Sequence, residues 1–172
     1  MRKSYTLKTK QEIDLDIQKA YSALIQPKPD AVIIKIDLTK TTDKTIEGFN
    51  FRLRKTLNKI RVKYIQNVLD YIYVVEVPEE VSNPYSRLSI GKCALHAHIV
   101  LRTSITENEI LEEIERHFPE TTTSYIYSIG KAKKNPDVYV ENISKRADLG
   151  NYSNYLIKQK SLENGSYNYK LN

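Results

Sequence analysis

The chain has 172 residues, of which 40% are hydrophobic and 28% charged, with only 5 Gly and 6 Pro. That suits one packed domain and excludes a disordered chain or a second enzymatic module of ordinary size. Lys and Arg number 27 against 21 Asp and Glu, a formal charge of +6 that favours polyanionic partners without identifying them, and the single cysteine, Cys93, excludes an intramolecular disulfide or a multi-cysteine zinc site.

A reducing cytoplasm fits this cysteine usage, and no stretch approaches the continuous apolar core of a signal peptide or the roughly 20 apolar residues of a membrane helix. Residues 1–30 are polar and end in Pro27-Lys28-Pro29, a stiff extended breaker, so they read as an extension with a short helix outside the main sheet. Ile13, Ile17, Ala20, Tyr21 and Leu24 keep helical spacing in it. The β-branched run 31–38 predicts a well-buried first strand. Ile46, Phe49, Leu53, Leu57, Ile60 and Tyr64 then recur at helical intervals and predict a long amphipathic helix. Its other face carries Arg52, Arg54, Lys55, Lys59, Arg61 and Lys63, which read first as a solvated face and second as a DNA-contacting surface.

Residues 71–77 and 93–101 predict two strands that pair antiparallel, joined by a long connection rich in turn formers. Thr106, with Glu109 three residues on, marks a capping box for a second amphipathic helix that Pro119 ends. Runs 124–129 and 138–143 read as a further hairpin around a basic turn with Lys131, Lys133 and Lys134. Asp148 is the expected cap of a last helix over 149–162, followed by a loose tail over 163–172. This order predicts an α+β fold, a largely antiparallel central sheet covered by helices, with the functional domain spanning 31–162.

Two of the three histidines form His96-Ala97-His98 inside an apolar strand. Strand side chains alternate, so both imidazoles point to one face, where a pair at i and i+2 can take adjacent positions on a divalent metal. Glu76 sits among apolar residues on the neighbouring strand, where an unpaired carboxylate is costly and a bound cation would offset the cost. In the last helix, Tyr152, Tyr155, Lys158 and Gln159 share one broad face. Tyrosines on a helix are most often packing residues, and the 13 Tyr of the chain are by default ordinary strand and helix residues.

Taken in order, these stretches resemble the HUH endonucleases, in particular the rolling-circle replication initiators of plasmids and small phages. The matching segments are the apolar strand 31–38, Leu95-His96-Ala97-His98-Ile99-Val100-Leu101, and Tyr155-Leu156-Ile157-Lys158, within roughly residues 30 to 160. The resemblance implies a ferredoxin/RRM-like HUH endonuclease fold and a divalent metal, Mn or Mg, on His96 and His98; Glu76 is the expected third ligand because its strand should lie beside theirs, with Gln159 as the alternative. It implies that Tyr155 attacks single-stranded DNA, leaving a 5′-phosphotyrosine and a free 3′-hydroxyl, while Lys158 places positive charge near the phosphate. Tyr152 is expected to pack or stack, because family members with two working tyrosines space them differently. The implied partners are single-stranded DNA, including an origin hairpin, and a separate helicase and polymerase, with no membrane. Ile90-Gly91-Lys92-Cys93 lacks the remainder of a Walker motif.

Three alternatives stand beside this one. A single-domain HUH transposase would use Gln159 on the metal, and a mobilisation relaxase would commonly place its tyrosine before the histidines. A non-catalytic nucleic-acid-binding module would stack bases on Tyr71, Tyr73, Tyr125 and Tyr127 and leaves the histidine pair unexplained.

Overall fold

The computed structural model describes residues 8–64, 67–76, 95–121, 137–157 and 167–171. The expected α+β fold with a central antiparallel sheet is the one the chain adopts. Helix α1 (Lys10–Leu24) precedes strand β1 (Val32–Leu38), helix α2 (Ile46–Lys63), strands β2 (Leu69–Glu76) and β3 (His96–Thr103), helix α3 (Glu107–His117) and strand β4 (Val138–Asn142). A 3-10 turn (Leu149–Asn151), helix α4 (Tyr152–Ile157) and strand β5 (Tyr167–Lys170) follow. The strands form one sheet in the order β4-β1-β3-β2-β5, with every neighbouring pair antiparallel. From β1 to β4 this is the split βαβ arrangement of ferredoxin-like sheets, with the histidine strand β3 at the centre.

Alternation along the strands gives the sheet two unlike faces. Ile34, Ile36 and Leu38 of β1, Ala97, Ile99 and Leu101 of β3, and Tyr71, Tyr73 and Val75 of β2 pack under α2 and α3 with Phe49, Leu53, Leu57, Ile110 and Phe118. Phe49 and Phe118 meet edge to face, 6.0 Å between centroids. Each such fully buried aliphatic or aromatic side chain contributes about 1.5–3 kcal/mol by leaving water. Tyr71 and Tyr73 belong to this core, so the stacking role expected of them in the binding-module alternative is overturned: their rings lie beneath helices. Tyr125 and Tyr127 lie outside the described residues.

The other face is mixed. Its apolar half, Ile33, Ile72, Val74 and Val100, is covered by Ile13, Ile17, Ala20, Tyr21 and Leu24 of α1 and by Tyr152 and Leu156 of α4. The segment expected as an extension therefore supplies a covering layer of the domain. Arg102 fixes it in place: its Nε and Nη2 donate to Asp70 Oδ2 at 2.8 and 2.6 Å, and its Nη1 donates to the carbonyls of Ala23 and Gln26 at 3.1 and 2.8 Å. The guanidinium thus satisfies carbonyls at the α1 C-terminus, where the helix dipole favours a cation.

Local signals read from the sequence hold at α3, where Thr106 and Glu109 form the capping box, and α1 begins with a similar box of Thr9 and Glu12. Two expectations fail. Asp148 makes no side-chain cap bond, because Arg146 Nε and Nη2 occupy both its oxygens at 2.8 Å, and the chain enters α4 through the 3-10 turn. The tail expected to be loose contains β5, whose pairing with Tyr71–Val74 covers the outer edge of β2. The run 124–129, expected as the hairpin partner of 138–143, lies outside the described residues; β4 pairs with β1.

Candidate metal centre

The site lies at the end of the mixed face where β1, β2 and β3 run side by side. Strand register sets it: Glu76 stands directly opposite His96, and Asp37 directly opposite His98. The long segment between Glu76 and His96 therefore does not separate them. Glu76 Oε2 lies 2.5 Å from His96 Nε2 and 3.1 Å from His98 Nε2, and the two rings stand nearly perpendicular with centroids 5.5 Å apart. Glu76, His96 and His98 each offer one ligand atom, and these atoms lie within 4.8 Å of one another, so the group could hold a metal ion. Two imidazole nitrogens and a carboxylate oxygen suit Mn, Fe or Zn chemistry as a donor set, and oxygen-preferring Mg less well.

Asp37 completes the site from behind. Its Oδ1 lies 2.7 Å from His98 Nδ1. A carboxylate on the far ring nitrogen holds Nδ1 protonated and leaves Nε2 turned toward Glu76, which is the usual support of a metal-ligating histidine. Lys35, on the same face of β1, reaches Asp37 Oδ2 at 3.1 Å and Glu141 Oε2 at 3.6 Å. Neither residue follows from the motif, yet both carried a signal. Lys35 and Asp37 are charged residues at alternate positions of an apolar strand, which puts both on one face.

The charges are strongly coupled. Burial alone would raise the Glu76 carboxyl, but bonds from His96 and His98 outweigh it and hold the group down to about 2. Burial would lower the His98 imidazole, but Asp37 and Glu76, one on each ring nitrogen, push it up to about 9. Asp37, though desolvated, is likewise held below the usual carboxylate range by His98 and Lys35. The cluster thus sets two carboxylates against two imidazoles and favours a cation there, as a proton on His98 or as a metal.

Helix α4 sets its tyrosines against this centre. The Tyr155 ring packs edge-on to His98, with centroids 5.1 Å apart and planes at 80°, and stays 44% exposed. Tyr152 stacks behind it at 5.3 Å and is buried against Tyr21, whose hydroxyl donates to the Leu149 carbonyl at 2.6 Å. The Tyr152 hydroxyl is buried with no hydrogen-bond partner among the described residues, and burial raises its pKa. Burial, with the charge of Asp37, also raises that of Tyr155, and Lys35 opposes the shift. A phenolate at Tyr155 therefore needs added positive charge nearby. Of the residues singled out from the sequence, Glu76, His96, His98, Tyr152 and Tyr155 come together here. Lys158 and Gln159 lie outside the described residues.

No helix among the described residues is long and apolar enough to cross a membrane. Comparison with protein-family models, with curated proteins and with solved structures finds no match, so the chemistry rests on the geometry of the site itself.

Proposed function

We propose that the protein is a metal-dependent endonuclease that nicks and rejoins single-stranded DNA through Tyr155, as an initiator of rolling-circle replication does. The observation that carries this reading is the placement of one exposed tyrosine ring against the Glu76–His96–His98 group. A divalent cation such as Mn²⁺, held by those three residues, would supply Lewis-acid polarisation of a phosphate oxygen.

The protein's own groups do the rest. Asp37, at Nδ1, orients the His98 ring so that Nε2 is the atom a metal would take once its proton has left. A tyrosine hydroxyl, pKa about 10, is a weak nucleophile at neutral pH, so position and local positive charge must compensate. Attack by the Tyr155 oxygen on phosphorus forms one phosphodiester bond and breaks the bond to the 3′-oxygen. The phenolic proton ends on the departing 3′-hydroxyl, and the DNA 5′-phosphate remains esterified to the ring. No water is consumed, so the reaction reverses to rejoin the strand. Lys158, three residues beyond Tyr155 in the sequence, is the cation the resemblance adds.

The end chemistry tests the reading. Incubation of single-stranded oligonucleotides with the protein and Mn²⁺ is expected to yield a fragment that a polymerase extends from its 3′ end and a second fragment whose 5′ end is blocked by protein. Free 5′-phosphates on protein-free fragments would point to hydrolysis by metal-activated water and remove Tyr155 from the reaction.

A further inference from the structure

Tyr139 lies outside the metal-ligating group but in the same row of the sheet. On β4 it stands directly opposite Asp37, which in turn stands opposite His98. Two strand spacings, roughly 10 Å, therefore separate the backbone at Tyr139 from that at His98. Its ring is 40% exposed, in contrast to Tyr71 and Tyr73 on the opposite face. The Lys35 ammonium lies 5.2 Å from its centroid and is itself held by Asp37 and Glu141. A cation fixed against the ring restrains its orientation in advance, which lowers the entropy cost of using the ring as a contact surface.

We propose that Tyr139 is a stacking subsite for one unpaired nucleobase next to the phosphate held at the metal centre. The inference rests on the nuclease reading for the position of that phosphate and adds the feature of the substrate that is recognised. Aromatic rings accept any base because every base offers a π face. A base inside a duplex has both faces covered by its neighbours, so a single ring beside the reacting phosphate selects strands that are unpaired there.

The test uses the full chain with Mn²⁺ and two probes, a thymidine tetranucleotide and its counterpart with all bases removed. The parent is expected to bind the base-containing probe on the order of tenfold more tightly. Tyr139→Leu is expected to lose most of that preference while binding the abasic probe as the parent does, and Tyr139→Phe is expected to keep it. An equal loss on both probes, an undiminished preference in Tyr139→Leu, or no preference in the parent overturns the subsite. Covalent adducts are scored separately on a longer strand. Adducts without a Tyr139-dependent preference leave the nuclease reading standing alone, and the preference without adducts removes the nuclease and leaves a base-binding site.

Discussion

The mixed face of the sheet carries two charged clusters on the same two strands, and they differ in kind. At one end, Asp70 of β2 faces Arg102 of β3 in register, both are almost wholly buried, and the guanidinium also bonds two carbonyls of α1. At the other end, Glu76 of β2 faces His96 of β3, with about a quarter of each side chain open to solvent, and a second carboxylate, Asp37, closes on His98 from β1. The first cluster joins a helix to the sheet with groups that satisfy one another. The second gathers residues that could hold a metal ion and leaves them partly open to solvent. The two clusters thus differ in burial and in donor type, although both arise from the same strand pairing.

The largest expected effect breaks the first cluster. Arg102→Ala leaves Asp70 buried without its main partner, which typically costs about 3–5 kcal/mol and lowers the melting temperature by on the order of 10 °C in a chain of this size. The Mn²⁺-induced rise in melting temperature should survive in that variant. A loss of that rise would mean the two clusters are not independent.

Breaking the second cluster should do the reverse. His98→Ala is expected to abolish the Mn²⁺-induced rise in melting temperature and the nicking activity while the metal-free fold persists. Asp37→Asn, which keeps the shape but weakens the support of His98, should reduce metal affinity about 10- to 100-fold by calorimetry. Affinity unchanged in Asp37→Asn would remove the residue from the site.

A smaller effect appears on varying pH. The imidazole of His98 is raised from its ordinary 6.5 to about 9 by the two carboxylates. In chelator, this group contributes stability that is fully present below about pH 6.5 and is lost as pH rises through about 9. Metal binding at Nε2 requires that proton to leave, so the Mn²⁺-induced rise in melting temperature should grow with pH over the same window. Melting curves with and without Mn²⁺ check both signs, and His98→Ala should flatten both trends.

The smallest effect concerns Tyr152. Its hydroxyl is buried without a partner among the described residues, so Tyr152→Phe should be neutral or slightly stabilising, by roughly 0–1 kcal/mol. Nicking should continue. Abolished nicking in Tyr152→Phe would move the nucleophile one helical turn.

The elements legible in the sequence were those whose cause is local. Helical spacing from Ile46 to Ile60, the Thr106–Glu109 box and the same-face placement of His96 and His98 all follow from periods of 3.6 and 2. What depends on register was not legible. The neighbouring placement of Glu76 and the histidines was legible from the expected antiparallel pairing of their strands, but nothing along the chain says that Asp37 faces His98 or that Arg102 finds Asp70, because that register is decided between strands. The packing of α1 on the sheet was hidden for a similar reason: its apolar spacing was visible, but the face it covers is formed by distant residues. Asp148 shows a local signal overruled by a nearer partner, since Arg146 takes both of its oxygens.

The central claim, that the second cluster serves Tyr155, is tested most directly by mapping the covalent protein–DNA adduct. Protein incubated with single-stranded DNA and Mn²⁺, then digested and analysed by mass spectrometry, should carry the 5′-phosphate on Tyr155, and the adduct should be absent in Tyr155→Phe and in chelator. An adduct on another residue, or an undiminished yield from Tyr155→Phe, would contradict the account.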